Sequence, residues 1–369
     1  NVSLNQVGFP IDSEGTVKSS PLIVDIDDDS SMEIIYGDNN GMIHVLQENG
    51  LVSFPGFPFS TGDQIWGSPA SADLDLDGNI DFVVSSQDGS VYAFDRFGLK
   101  WVYNTSKYLV GTPTIGNLDD DDELEVCIGS YGPGNTGNAI YVVNHDGSLM
   151  NGFPYLINEK IKAGLSLGDF NNNLKDDIVF GTDSDNLYLI SDSGNLIDGF
   201  PFSVSDKIQS SPSILDLGTE KLIFFGSKDD NFYCVDSQAT LIFSYLTDGN
   251  IYTSPSFYFD EAANQVYIFF GSDDGMVHAL DLNGNSIDGW PQSVGNEVIG
   301  SVLIQDLNGD SIKEVIAISS SSVSIKDLSK AIYDLTKLSS LDFNFFSNSL
   351  NLFQTEINST IVDQLLTRY

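Results

Sequence analysis

Positive charge is scarce in this chain. Its 369 residues hold 15 lysines and arginines against 53 aspartates and glutamates, a formal net charge of −38 at pH 7. That balance excludes nucleic acid and anionic membrane surfaces as partners, because phosphate recognition needs clustered cations. Cysteine is rarer still, with only Cys127 and Cys234. Both sit inside apolar, strand-like runs, so a disulfide framework is excluded and two buried free thiols are expected. No apolar run approaches the roughly 18 residues that a membrane-crossing helix needs. Three histidines, and no thiolate zinc cluster, glycine-rich phosphate loop or nucleophile elbow, leave few means for catalysis.

Aspartate, by contrast, is abundant and regularly spaced. The stretch "ADLDLDGNIDFVV" at 72–84 collects Asp73, Asp75, Asp77 and Asp81 and then turns apolar. Two unit charges ~4 Å apart repel by roughly 4 kcal/mol at an effective dielectric near 20, so a cation is expected between them. Oxygen donors at alternate positions, with a glycine at the sixth for a sharp turn, suit calcium. A helix–loop–helix calcium site does not fit, since position 12 is Val84 rather than a glutamate and the flanks read as strands.

The pattern recurs. Oxygen-bearing side chains occupy positions 1, 3, 5 and 9 at Asp25, Asp27, Asp29, Glu33 and at Asp73, Asp75, Asp77, Asp81. They do so again at Asn117, Asp119, Asp121, Glu125, at Asp169, Asn171, Asn173, Asp177, and at Asp306, Asn308, Asp310, Glu314. Five Ca²⁺ sites are therefore expected. Charge count ranks the loops at Asp25 and Asp73 above the loop at Asp169, where two ligands are amides.

Two degenerate copies, beginning at Asp216 and Phe259, keep the frame and lose the ligands. The seven starts at 25, 73, 117, 169, 216, 259 and 306 give spacings of 48, 44, 52, 47, 43 and 47. Periods of this length with only strand signals predict an all-β, seven-bladed β-propeller of four-stranded antiparallel blades. In each unit a small residue opens the first strand, as in Ser68-Pro69. The acidic loop, a second strand such as "DIVFG" (177–181) and a third such as "SVYAFD" (90–95) follow. The fourth strand is expected to end in Gly-aromatic-Pro, as at Gly56-Phe57-Pro58, Gly152-Phe153-Pro154, Gly199-Phe200-Pro201 and Gly289-Trp290-Pro291. The same tripeptide at Gly8-Phe9-Pro10 precedes any blade. Residues 1–10 are therefore expected to complete blade seven and close the ring, removing exposed sheet edges. The propeller is expected to span 1–327. Residues 328–369 form an extension that packs on it or leads to a further domain.

The unit "SPASADLDLDGNIDFVVSSQDGSVYAFD" resembles the FG-GAP/VCBS repeat family, which includes integrin α-subunit propellers and many bacterial surface proteins. The resemblance covers about 1–327, and units five and six depart from it. It implies calcium-binding loops on the face away from the ligand. The third strands also resemble quinoprotein-type propeller repeats.

Function is then expected at the segments entering each first strand. Seven residues before position 1 stand Lys18, Trp66, Val110, Lys162, Gln209, Tyr252 and Ile299. The residue before each is aliphatic and the residue after is small. Lys18, Trp66, Lys162, Gln209 and Tyr252 are the candidate ligand contacts, offering aromatic surface and charge to a glycan or protein. A second frame, His44, Tyr92, Tyr141, Tyr188, Tyr233 and His278 on the third strands, reads as a packing slot whose polar tip reaches an edge. The expectation is a monomeric binding or adhesion module, secreted or at the cell surface, non-enzymatic and part of a larger exported protein. No signal peptide stands in this chain. The alternative is a polysaccharide lyase-like or quinoprotein-like enzyme on the same fold.

Removing residues 1–10 should lower the melting temperature by more than an equal deletion in a surface loop, and promote self-association. A truncated protein that melts unchanged as a monomer would show that another segment closes the ring.

Overall fold

The computed structural model describes residues 8–327, apart from positions 10, 12, 52, 53, 55, 262, 308, 310, 311, 321 and 322. Among the described residues every regular element is a β-strand. The extension at 328–369 and most of residues 1–10, expected to close the ring, lie outside them.

The chain divides into two units, Asn1–Pro201 and Phe202–Tyr369. The first holds three four-stranded antiparallel sheets, each a meander with strands paired in chain order. Blade 1 consists of Leu22–Val24, Glu33–Gly37, Met42–Leu46 and Phe59–Ser60. Blade 2 consists of Ala70–Ala72, Asp81–Ser85, Ser90–Asp95 and Gly98–Asn104. Blade 3 consists of Thr114–Gly116, Glu125–Gly129, Ala139–Val143 and Tyr155–Leu156. Three strands of blade 4, Ser166–Gly168, Asp177–Gly181 and Asn186–Ile190, complete this unit. The second unit opens with Phe202–Ser203. Blade 5 is Ser213–Asp216, Lys221–Gly226, Asn231–Asp236 and Leu241–Leu246; blade 6 is Ser256–Asp260, Gln265–Gly271, Met276–Leu280 and Gln292–Ser293. The last sheet shows three strands, Leu303–Gln305, Glu314–Ile318 and Val323–Asp327.

The fourth strands correct one expectation. Gly-aromatic-Pro precedes the short fourth strands at 59–60, 155–156 and 292–293 instead of ending them. Each glycine has positive φ, from 84° at Gly289 to 96° at Gly56, and turns the chain. The proline has no N–H to give a ladder, so pairing starts only after it. The aromatic between them goes inward, and Phe153, Phe200 and Trp290 are all buried. Blades 2 and 5 lack the tripeptide and run fourth strands of seven and six residues.

The core lies between consecutive sheets. Where second and third strands are covered on both faces, they read as continuous apolar runs without alternation. Asp81–Ser85 is buried at every position. Ile35, Ile43 and Ile65 join Phe82 and Phe94 between blades 1 and 2, and Cys127 and Ile140 join Ile178 and Phe180 between blades 3 and 4. In the second unit the Phe232 and Phe270 rings stack at 4.0 Å between blades 5 and 6. Both cysteines are buried free thiols.

The aliphatic frame has a clear role. Ile65, Ile161, Ile251 and Val298 press onto Gly37, Gly129, Gly226 and Gly271 of the preceding blade, where a Cβ would clash with them. Their amides also donate to that blade, as from Ile65 N–H to the Asp38 carbonyl at 3.1 Å. The small residue answers the same glycine: the Ser210 hydroxyl donates to the Gly226 carbonyl (2.8 Å) and accepts from its N–H (2.9 Å). Val17 is the exception, 41% exposed.

Gly8 bears on ring closure. In blade 4 the Ser193-Gly194 turn lies against Gly152 of blade 3, and in blade 1 the Asn49-Gly50 turn lies against Gly8 in the same way. Gly8 thus takes the place that a preceding blade fills elsewhere.

Gly226→Val should cost ~1–3 kcal/mol by overpacking against Ile251. Thermal melts should show a fall of several degrees, and an unchanged melt would contradict this packing account.

Candidate functional site

An acidic loop follows the first strand in five of the seven units, and several first strands are preceded by a lysine- or aromatic-bearing segment.

The acidic loops are wrapped around two carboxylates. The position-1 aspartate takes backbone amides from the far side of the turn. Asp25 accepts from Asp28 (2.8 Å) and Ser30 (2.9 Å), and Asp169 from Asn173 (3.0 Å) and Leu174 (2.8 Å). Positive φ at Asp28, Ser30, Leu76, Gly78, Asn172 and Leu174 makes the curl. In blades 1, 2 and 4 the sixth position therefore adopts the left-handed conformation with or without glycine. The position-9 acid always accepts the position-2 amide. Glu33 accepts from Ile26 (3.1 Å), Asp81 from Leu74 (3.1 Å) and Glu125 from Leu118 (2.7 Å). Asp177 accepts from Phe170 (2.9 Å) and Glu314 from Leu307 (2.7 Å).

What remains open differs between loops. Carboxylate oxygens of Asp25, Asp27 and Asp29 lie within 4.8 Å of one another, as do those of Asp73, Asp75 and Asp81, and those of Asp119, Asp121 and Glu125. Glu125 is fully buried, and its Oε1 has no hydrogen-bond partner; nor have Asn117 Oδ1, Asp27 Oδ1 or Asp75 Oδ1. Buried acceptors left unpaired are costly, and a small cation among them would satisfy all at once. Burial, with neighbouring carboxylates adding to it, pushes Glu33 and Glu125 up to about 7, and it also raises Asp81.

The donor sets at Asp25 and Asn117 thus fit a divalent cation. Asp77 turns instead to Asn79 (2.8 Å) and stands outside its cluster. The blade 4 loop closes on itself: Asp177 Oδ1 takes the Asp192 N–H (3.1 Å) and the Asn171 amide (3.4 Å), while Asn173 donates to Asp192 (2.9 Å). In the fifth loop Asp306 accepts from Gly309 (2.7 Å), and Asn308 and Asp310 lie outside the described residues. The degenerate loops bring no carboxylate cluster together. Asp216 pairs with Lys221 at 3.2 Å, and Phe259 is exposed.

At the other end, Lys18 and Trp66 meet. The Lys18 Nζ stands 3.6 Å from the Trp66 ring centroid, and the indole N–H donates to Gln64 (2.9 Å). Lys228 lies 5.6 Å over Tyr252, and Lys160 4.9 Å over Tyr131. Lys160, Tyr131 and Lys228 stand outside the slot read from the sequence, since tertiary contact alone pairs them. Lys162 is exposed and Gln209 half-buried, while Val110 is buried and presents nothing. The third-strand slot is a hydrogen-bond frame. Tyr92 donates to Asp88 (2.6 Å), Tyr233 to Asp229 (2.7 Å) and Tyr188 to Glu159 (3.0 Å), and His278 pairs with Asp274 (3.1 Å).

No family model and no curated protein sequence matches the chain. Solved structures do. The WD40 β-propeller domain of Doa1 is 13% identical and covers 87% of this chain and 95% of its own, with a TM-score of 0.50. BBS1N in complex with ARL6DN is 11% identical over 87% and 94%, with a TM-score of 0.55. A europium-containing methanol dehydrogenase is 15% identical over 78% and 71%, with a TM-score of 0.52. At these identities the likeness shows the fold, and the fold is a β-propeller. It is a scaffold used by both binding proteins and enzymes, so the class alone does not assign an activity.

The raised acids set a pH dependence for metal-free protein. Glu33 and Glu125 hold their protons up to about 7 when folded, against an ordinary 4.5. Between those values the folded state binds more protons, so stability falls as pH rises. Protein freed of metal by gel filtration should melt higher at pH 5 than at pH 8, and saturating Ca²⁺ should shrink that difference. Equal metal-free melts would contradict the burial of these two acids.

Proposed function

We propose that this chain is a calcium-stabilised propeller module that binds a glycan or protein ligand through the segments entering its first strands, in the extracellular space or at the cell surface. The observation that carries the binding role is the Lys18–Trp66 pair. A half-buried indole with a lysine across its face offers stacking area to a sugar ring or apolar side chain, and an ammonium for carboxylate or sulfate.

The loops at Asp25 and Asn117 support the calcium part of this reading. Their residues would hold the ion, which when bound supplies the positive charge their converging oxygens lack. Millimolar extracellular calcium would keep modest-affinity sites filled. The ions would lie past the strand end away from the Lys18–Trp66 pair, so their part is to fix loop geometry rather than to touch ligand. The absence of a converging acid–base pair around Lys18 and Trp66 among the described residues favours binding over catalysis.

Calcium at 100 times its Kd should stabilise the protein by ~2.7 kcal/mol per site. EDTA should therefore lower the melting temperature, and metal analysis should find bound Ca²⁺. On a glycan array, Lys18→Ala and Trp66→Ala should each lose at least tenfold in signal while keeping calcium content, and Phe259→Ser should bind as wild type. Wild-type signal in both rim variants would move the ligand surface elsewhere.

A further inference from the structure

The acidic loop of blade 2 is, in sequence, one of the two four-carboxylate loops ranked highest for metal. Its position-1, -3 and -9 aspartates do converge. Yet the place between them is taken. The Lys100 ammonium lies 2.8 Å from Asp75 Oδ2 and 2.9 Å from both oxygens of Asp81. Asp81 is buried, and the Lys100 side chain is only 16% exposed. This is a built contact rather than a surface ion pair.

The strand that delivers the lysine explains why only this loop has one. Blades 1 and 3 have two-residue fourth strands. Blade 2 instead runs Gly98–Asn104, pairing along the third strand from Asp95↔Gly98 to Ser90↔Asn104 with a bulge between Ala93 and Phe94. The next residue, Trp101, is fixed on the neighbouring blade, donating its indole N–H to the His145 carbonyl at 2.7 Å. With Trp101 held outward on blade 3, Lys100 is turned to the opposite side of the strand, back over the loop of its own blade. No other described acidic cluster receives an ammonium in this way. Lys175 reaches only the outer Asp120 of the blade 3 loop, at 2.5 Å, which is not one of its converging acids.

We propose that Lys100 is a permanent internal counter-ion that replaces calcium in blade 2, so that the loop at Asp73 does not take the metal its sequence calls for. An ammonium offers three donors to the two carboxylates and brings one positive charge. A Ca²⁺ ion entering the same space would meet that charge at hydrogen-bonding distance from its own ligands, and would have to displace it. The inference rests on the calcium reading of the sister loops but is separable from it.

The test is calcium stoichiometry by equilibrium dialysis with metal quantification, on wild type, Asp75→Asn, Lys100→Gln and Lys100→Arg, each checked for folding by circular dichroism. The proposal expects Asp75→Asn and Lys100→Arg to bind as many ions as wild type, and Lys100→Gln to bind one more. A loss of one ion in Asp75→Asn would overturn it, and so would an unchanged count in Lys100→Gln. Should wild type bind no calcium while Lys100→Gln binds one, the calcium reading of blades 1 and 3 would fail and the lysine plug would stand. Should neither bind, both would fail.

Discussion

A buried carboxylate at the head of each metal-type second strand sets the terms for the surrounding structure. One of its oxygens is consumed by the position-2 amide, which pins the loop to the strand. In blade 3 the other, Glu125 Oε1, is left without a hydrogen-bond partner in a loop that also holds Asp119 and Asp121. Burying such a group without a partner is expensive. Each blade must therefore answer the same electrostatic demand, and the blades answer it differently. Blade 4 uses amide donors, blade 2 an ammonium, and blades 1 and 3 leave open oxygen sets suited to a divalent cation. Blade 5 has lost the acid and with it the demand.

Between the sheets the constraint is steric. The glycine ending a second strand is kept small because an aliphatic side chain from the next blade lies against it. The hydroxyl that satisfies such a glycine comes from the entry segment of the glycine's own blade, as Ser19 does for Gly37, Ser210 for Gly226 and Thr253 for Gly271. The aliphatic residue of an entry segment thus answers the preceding blade and the small residue its own, which leaves the one side chain between them free to vary. That freedom lets Lys18 and Trp66 occupy equivalent slots without cost to the fold.

The two ends of a first strand differ in charge. Acidic charge is gathered where loops can be closed around a cation. Lys18 and Lys160, in entry segments, lie over aromatic rings. In a chain this acidic, such lysine–ring contacts are the feature on which the proposed ligand surface rests.

Much of this was legible in the residues alone. A repeat of 43 to 52 residues with period-specific turns fixes sheet count and strand order, because every unit must bury the same faces against its neighbours. The acidic loops were legible for the same reason, since their residues 2 and 9 are joined within one local turn. What the spacing does not show involves partners distant along the chain. Lys100 is 19 residues from Asp81, and only the long, bulged fourth strand brings it onto the loop. The Asp192 contacts that close the blade 4 loop come from a different turn. The tripeptide opens the fourth strand because its prolines cannot donate, which repeat counting does not reveal. Local geometry is written in local spacing; which charge ends up beside which is decided by the register of strands that the spacing does not fix.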